Sequence, residues 1–180
     1  MTRLSEDADV VHSIGNDPAF LTVLDVELYS TDLPDWDYGT LTAKVVTAMT
    51  DGAAVAWGTP EGDLSIRLTM RPLDETTKQR VDARTAGRIV TSGALCLASY
   101  TSVTMCAQFD DEGFPQAGDL VFEVPAGSYD VHVHRMFRHE DGQQFGDDEP
   151  EGHHYVVVFT PSAATSAATP IERIAWALRA

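Results

Sequence analysis

From residue 19 onward the chain alternates short runs of β-branched and aromatic residues with turn residues, the pattern of an all-β sandwich or barrel. The plainest run is LSIRLTMR. There Leu64, Ile66, Leu68 and Met70 alternate with Ser65, Arg67, Thr69 and Arg71, which predicts a half-buried strand with two arginines on its wet face. AFLTVLDVELYS alternates in the same way and predicts a strand with Leu24, Val26 and Leu28 turned inward. LTAKVVTAM and AAVAWG flank Asp51-Gly52, which predicts a hairpin, because the tight turns that join strands require positive φ angles. RIVTSGALCLASY and TSVTMCAQF read as paired strands closed by DDEGFPQAG, and DLVFEV, GSYDVHVHR and HHYVVVF read as further strands. The polar stretch at 72–86 reads as a loop or one short helix.

The ends differ in character. Residues 1–18 are acidic and read as a mobile lead-in that finishes at Asp17-Pro18. Residues 162–180 read as a small-residue linker and one short helix, with Thr169 as cap, Pro170 in the first turn and Glu172 completing a capping box. The predicted fold is therefore all-β, a mainly antiparallel β-sandwich or jelly-roll-like domain over 19–161, with one short C-terminal helix.

Composition sharpens this picture. A length of 180 residues and a 43% hydrophobic content suit one packed domain and argue against wholesale disorder. The formal charge is −16, from 28 acids against 12 bases. A field of that sign repels nucleic acid and anionic membrane and attracts a protein with a basic surface, although acids also simply confer solubility. Six of the twelve bases (Arg67, Arg71, Lys78, Arg80, Arg84 and Arg88) fall in one stretch and predict a mildly basic flank. No leader-like apolar run opens the chain and no stretch approaches a membrane span of about 20 apolar residues, so the expected location is the cytoplasm. Cys96 and Cys106 are then expected to be reduced, buried thiols.

Candidate chemistry concentrates in GSYDVHVHRMFRHEDG, residues 127–142. His132 and His134 share one face of a strand, His139 and Glu140 follow, and His153 and His154 open the next strand. A metal site needs three or four ligands converging to within about 2.0–2.3 Å of the ion. If 128–138 and 153–161 form a hairpin, His134 falls opposite Val157 and His153 opposite Arg138. That separates the two histidines by about 13 Å at about 3.3 Å per residue. The stretch therefore reads as a strand with Tyr129, Val131 and Val133 inward and a wet histidine face, and no cofactor is expected.

The loop it feeds carries Glu140, Asp141, Asp147, Asp148, Glu149 and Glu151 with no base among them, and is the predicted partner-binding element. Phosphate-loop, nucleophile-elbow and paired-cysteine motifs are missing, so the chain is expected to be a binding protein and not an enzyme. Trp36, Tyr38 and Trp57 are candidate aromatics for a small ligand, or core residues.

Two resemblances bear on these readings. Gly127, His132, His134, Glu140 and Gly146 resemble the order of a metal-binding cupin motif. The spacings depart at more than one step, the second cupin motif has no match, and Asp130 stands where that motif would put a histidine. This similarity implies the alternative function, a metal-dependent enzyme using His132, His134, Glu140 and His139. The order of LSIRLTMR, the polar break, GALCLAS and PAGSYDVHVH, after a Trp-containing early loop, resembles small acidic bacterial β-sandwich proteins of the competence nuclease-inhibitor type. That similarity is one of layout, and it implies an inhibitor or immunity-type role against a basic protein.

Overall fold

The computed structural model describes residues 2–17, 19–30, 32–33, 37–109, 113–137, 152–163 and 171–177. Ten strands form two five-stranded sheets. The first sheet runs, in spatial order, β1 (Thr2–Arg3), β8 (Leu120–Glu123), β7 (Ala94–Ser99), β3 (Ala19–Asp25) and β4 (Ala54–Thr59). The second runs β2 (Val10–Asn16), β5 (Gly62–Thr69), β10 (Tyr155–Pro161), β9 (Gly127–Arg135) and β6 (Ala83–Thr91). Most pairings are antiparallel, whereas β1 with β8 and β5 with β10 are parallel. The all-β expectation is borne out.

The sheets pack face to face. Val23, Trp57, Leu97 and Phe122 from the first meet Leu64, Ile66, Val131, Val133, Tyr155, Val157 and Phe159 from the second, all essentially without exposure. LSIRLTMR behaves as its alternation predicts: Leu64, Ile66 and Leu68 lie in this layer and Arg67 on the opposite face. AFLTVLDVELYS does not. Every residue of β3 is buried, because Val23 faces the second sheet while Phe20 and Leu24 face a second apolar layer. Leu28, expected inside, lies beyond the strand and is exposed.

That second layer is made by helices the alternation did not anticipate. LTAKVVTAM, expected as a strand, is α1 (Tyr38–Asp51), and Leu41, Val45 and Met49 give it a buried face at four-residue spacing. Asp37 caps it: its carboxylate accepts from the Thr40 N–H, and the Thr40 hydroxyl accepts from the Asp37 N–H, each at 2.9 Å. Gly52, at φ 77°, ends it. A left-handed glycine closes a helix as readily as it makes a hairpin turn, so Asp51-Gly52 pointed to the wrong neighbour. TSVTMCAQF likewise belongs to α3 (Tyr100–Gln108), capped by Ser99. One short helix, α2 (Glu75–Gln79), interrupts the polar stretch.

Both ends also depart from expectation. The lead-in is folded: β2 pairs along its whole length with β5, and Leu4, Val10 and Ile14 are buried in the core. Its acids masked the alternation of Val10, His12 and Ile14 with Val11 and Ser13. At the other end, residues 171–177 are not helical; Ala175 bridges Trp57.

Asp25 locks the turns at one end of the first sheet. It is fully buried, and its carboxylate accepts from the N–H groups of Glu27, Leu28 and Ser92, each at 2.9 Å. Burial pushes its pKa up, but the Thr91 hydroxyl and these N–H groups outweigh burial and hold it below its ordinary value of 3.8. A depressed carboxyl stabilises the fold above that value and loses the contribution as pH falls through the folded pKa. Asp25→Ala leaves buried donors unsatisfied and is expected to cost about 2–4 kcal/mol in urea unfolding at neutral pH. The deficit is expected to narrow as the pH drops below 3.8; a deficit independent of pH contradicts this account.

Candidate functional site

The histidines lie on the outer face of the second sheet and do not converge. His134 stands between Val156 of β10 and Arg84 of β6, one residue from the expected register, and His132 between Val158 and Ala86. Their rings are 6.4 Å apart. His153 and His154 turn instead toward β5, where the Ser65 hydroxyl lies 3.0 Å from His153 Nδ1 and the Ser65 N–H donates to His154 Nδ1 at 2.8 Å. Burial first, then the charges of His132 and Arg84, hold His134 below its ordinary pKa, so its surroundings disfavour cations. Among the described residues no group of three histidines, cysteines or carboxylates can hold a metal ion. His139 and Glu140 lie outside the described residues, as do the predicted partner-binding acids Asp141, Asp147, Asp148, Glu149 and Glu151 and the aromatic Trp36. Trp57 is core, and Tyr38 packs edge-on against Tyr100.

The expected basic flank is largely neutralised. Asp9 receives Arg67 Nε at 2.7 Å, the Arg71 guanidinium at 2.8 Å and the Thr69 hydroxyl at 2.7 Å. Arg88 pairs with Asp130 at 3.2 Å, Arg135 with Asp82 at 2.6 Å and Lys78 with Glu75 at 2.6 Å. Among the described residues, five bases are thus in ion pairs within the fold. With 28 acids to 12 bases along the chain, a surplus of acid remains.

Some of that surplus gathers at one end of the sandwich, around an open cavity of about 480 Å³. The end of β2 supplies Asn16 and Asp17, the β4–β5 turn Glu61 and Asp63, and the β7–α3 junction Ser99, Thr101 and Ser102, with Gln116 and Ala117 closing the side. No base lines it. Asp17, Glu61 and Asp63 are exposed. Asn16 is held by the Thr59 hydroxyl at 2.7 Å, and Thr101 donates to Asp17 at 2.7 Å, so the rim is braced from within.

Asp119 sits behind this wall, accepting from the Ser102 hydroxyl at 2.7 Å and the Gln116 N–H at 2.8 Å. Burial raises its pKa, and these bonds and nearby His12 offset the rise only in part. Cys96 lies on β7 and Cys106 on α3, not on a shared hairpin, and both are buried thiols outside any disulfide. Burial, then the charges of Asp119 and Cys106, push the Cys96 thiol up, which keeps it protonated and unreactive.

Phe137 and Gly152–His154, the described flanks of the acidic loop, meet the second sheet at this same end, because His154 donates its N–H to Ser65 near the start of β5. The sequence carried a signal for the cavity, since TPEGD reads as a turn with two acids. The approach of the β2 terminus and the α3 cap comes only from the topology.

No family model and no curated protein matches this chain. Two solved structures are similar in fold. One, described as crocagin biosynthetic gene J, is 18% identical, with a TM-score of 0.56 over 86% of this chain and 98% of that chain. The other is ComJ from Bacillus subtilis, described as an inhibitor of the DNA-degrading activity of NucA; it is 10% identical, with a TM-score of 0.43 over 85% of this chain and 96% of that chain. The likeness to the first of these is one of fold at low identity. Among the described residues no helix is long and apolar enough to cross a membrane.

The histidine surroundings set a pH dependence. His134 and His153 are both held below their ordinary value of 6.5, His153 by burial and then by Arg67. The unfolded chain takes up protons first, so stability is lost as pH falls below 6.5. Urea unfolding between neutral pH and pH 5 is expected to show this loss, and His134→Asn to reduce it; an unchanged slope contradicts the assignment.

Proposed function

We propose that this is a non-enzymatic binding protein of the cytoplasm, of inhibitor or immunity type, that engages a basic protein partner through the acidic end of the sandwich. The observation that carries the reading is the separation of charge. Arg67, Arg71, Lys78, Arg88 and Arg135 are tied into ion pairs with Asp9, Glu75, Asp130 and Asp82, while Asp17, Glu61 and Asp63 project around a cavity that no base among the described residues lines. Glu140, Asp141, Asp147, Asp148, Glu149 and Glu151 belong to the same proposed surface, because the described residues that flank them in the chain, Phe137 and Gly152–His154, lie at that end.

A cavity with an acidic rim suits an arginine or lysine side chain from the partner. Its walls of serine, threonine and glutamine supply polar contacts without a competing cation. The excess negative charge across the molecule steers such a partner toward the surface and speeds encounter. Two buried cysteines outside any disulfide suit a reducing compartment.

The test is titration with an arginine-rich peptide over a range of ionic strength. Affinity is expected to fall steeply with salt, and neutralising Asp17→Asn, Glu61→Gln and Asp63→Asn together is expected to cost at least about tenfold. Neutralising the six loop acids is expected to add to that loss. Binding that ignores salt, or that survives both sets of substitutions, overturns the proposal.

A further inference from the structure

The edge of β4 opposite β3 is covered by residues 171–177. Ala175 forms a parallel bridge with Trp57, and the Gly58 N–H donates to the Ala175 carbonyl at 2.7 Å. Two side chains anchor the segment on either side of this bond. Ile174 is buried in the layer that also holds α1, and Trp176 stacks on Tyr155 with ring centroids 6.5 Å apart and planes at 24°. The Arg135 guanidinium lies 5.2 Å from the centroid of the Trp176 ring, so the indole meets a cation as well as a phenol. Gly58 is the residue that makes this possible. A methyl group there would overlap the backbone of Trp176 and Ala177. Backbone conformation at Trp176 is strained, with φ 62° in a region that side-chain-bearing residues seldom adopt.

The segment is thus a strap: it lies along a strand edge through the Ala175 bridge, it holds on by Ile174 and Trp176 with Ile171 and Ala177 packed beside them and the Ile171 N–H donating to the Thr50 hydroxyl at 3.4 Å, and Trp176 is strained. An edge left bare invites pairing with another chain. We propose that this strap is exchangeable, and that the groove it fills accepts the same segment, in the same parallel register, from a second copy of the chain. The anchoring contacts are chemically identical whether the strap comes from the same chain or from another. Closure within one chain prevails while its own strap is intact, because a linked segment enjoys a high effective concentration. Exchange follows when the local strap is weakened or the protein is concentrated. The inference rests on the apolar groove and is independent of the acidic end.

The probe is a fluorescently labelled peptide of sequence TPIERIAWALRA, residues 169–180. In fluorescence anisotropy it is expected to bind the full-length Trp176→Ala variant saturably, since that variant vacates the site on Tyr155. It is expected to bind wild type, whose own strap competes, at least about tenfold more weakly. Adding Gly58→Ala to the Trp176→Ala variant is expected to abolish binding, and so is replacing the tryptophan in the peptide by alanine should that double variant fail to fold. Failure of the peptide to bind Trp176→Ala overturns the proposal, as does equal binding with or without the tryptophan.

Discussion

The fold depends on burying the first sheet on both faces. β3, held between β7 and β4, has no exposed residue, so neither face can be left to solvent. The second sheet covers one face, and α1 and α3 cover the other. The remaining features follow from that requirement. α1 must lie where LTAKVVTAM leaves the sheet, Gly52 must stop it, and β4 must return beside β3. The C-terminal strap then lies along the β4 edge of this sheet, where Ala175 bridges Trp57.

The same architecture distributes charge. Strands that run between the two ends carry their arginines on the outer face of the second sheet, where Asp9 and Asp130 meet them. Turns at the end formed by the β2 terminus and the β4–β5 connection carry acids, and there the chain offers them hydroxyls and amides in place of bases. A protein with a formal charge of −16 is repelled by itself, and five of its bases are taken up by carboxylates within the fold.

Much of the fold was legible in the sequence, and the failures have identifiable causes. Alternation located the strand LSIRLTMR and the strand of His132 and His134 because each has one wet face. The same test misjudged β3, since a strand buried on both sides has no wet face to alternate. α1 was missed because its β-branched and small residues suit strands locally, and packing against the sheet overrode that preference. The folded lead-in was hidden by acids that surround a few apolar residues. Of the candidate site, the sequence showed that the acids were many and the bases few. It could not show that Asp17, Glu61 and Asp63, separated along the chain, share one cavity, because only the pairing of β2 with β5 brings them together.

The central claim is that the acidic end, and not the acidity of the whole surface, is the binding surface. Amide shift mapping of isotope-labelled protein, titrated at low ionic strength with an arginine-rich peptide, addresses it most directly. The account predicts shifts concentrated at Asp17, Glu61, Gly62, Asp63 and Ala117, reversed by added salt. Shifts spread evenly over the sandwich, or centred on the face that carries Arg88 and His132, would contradict it.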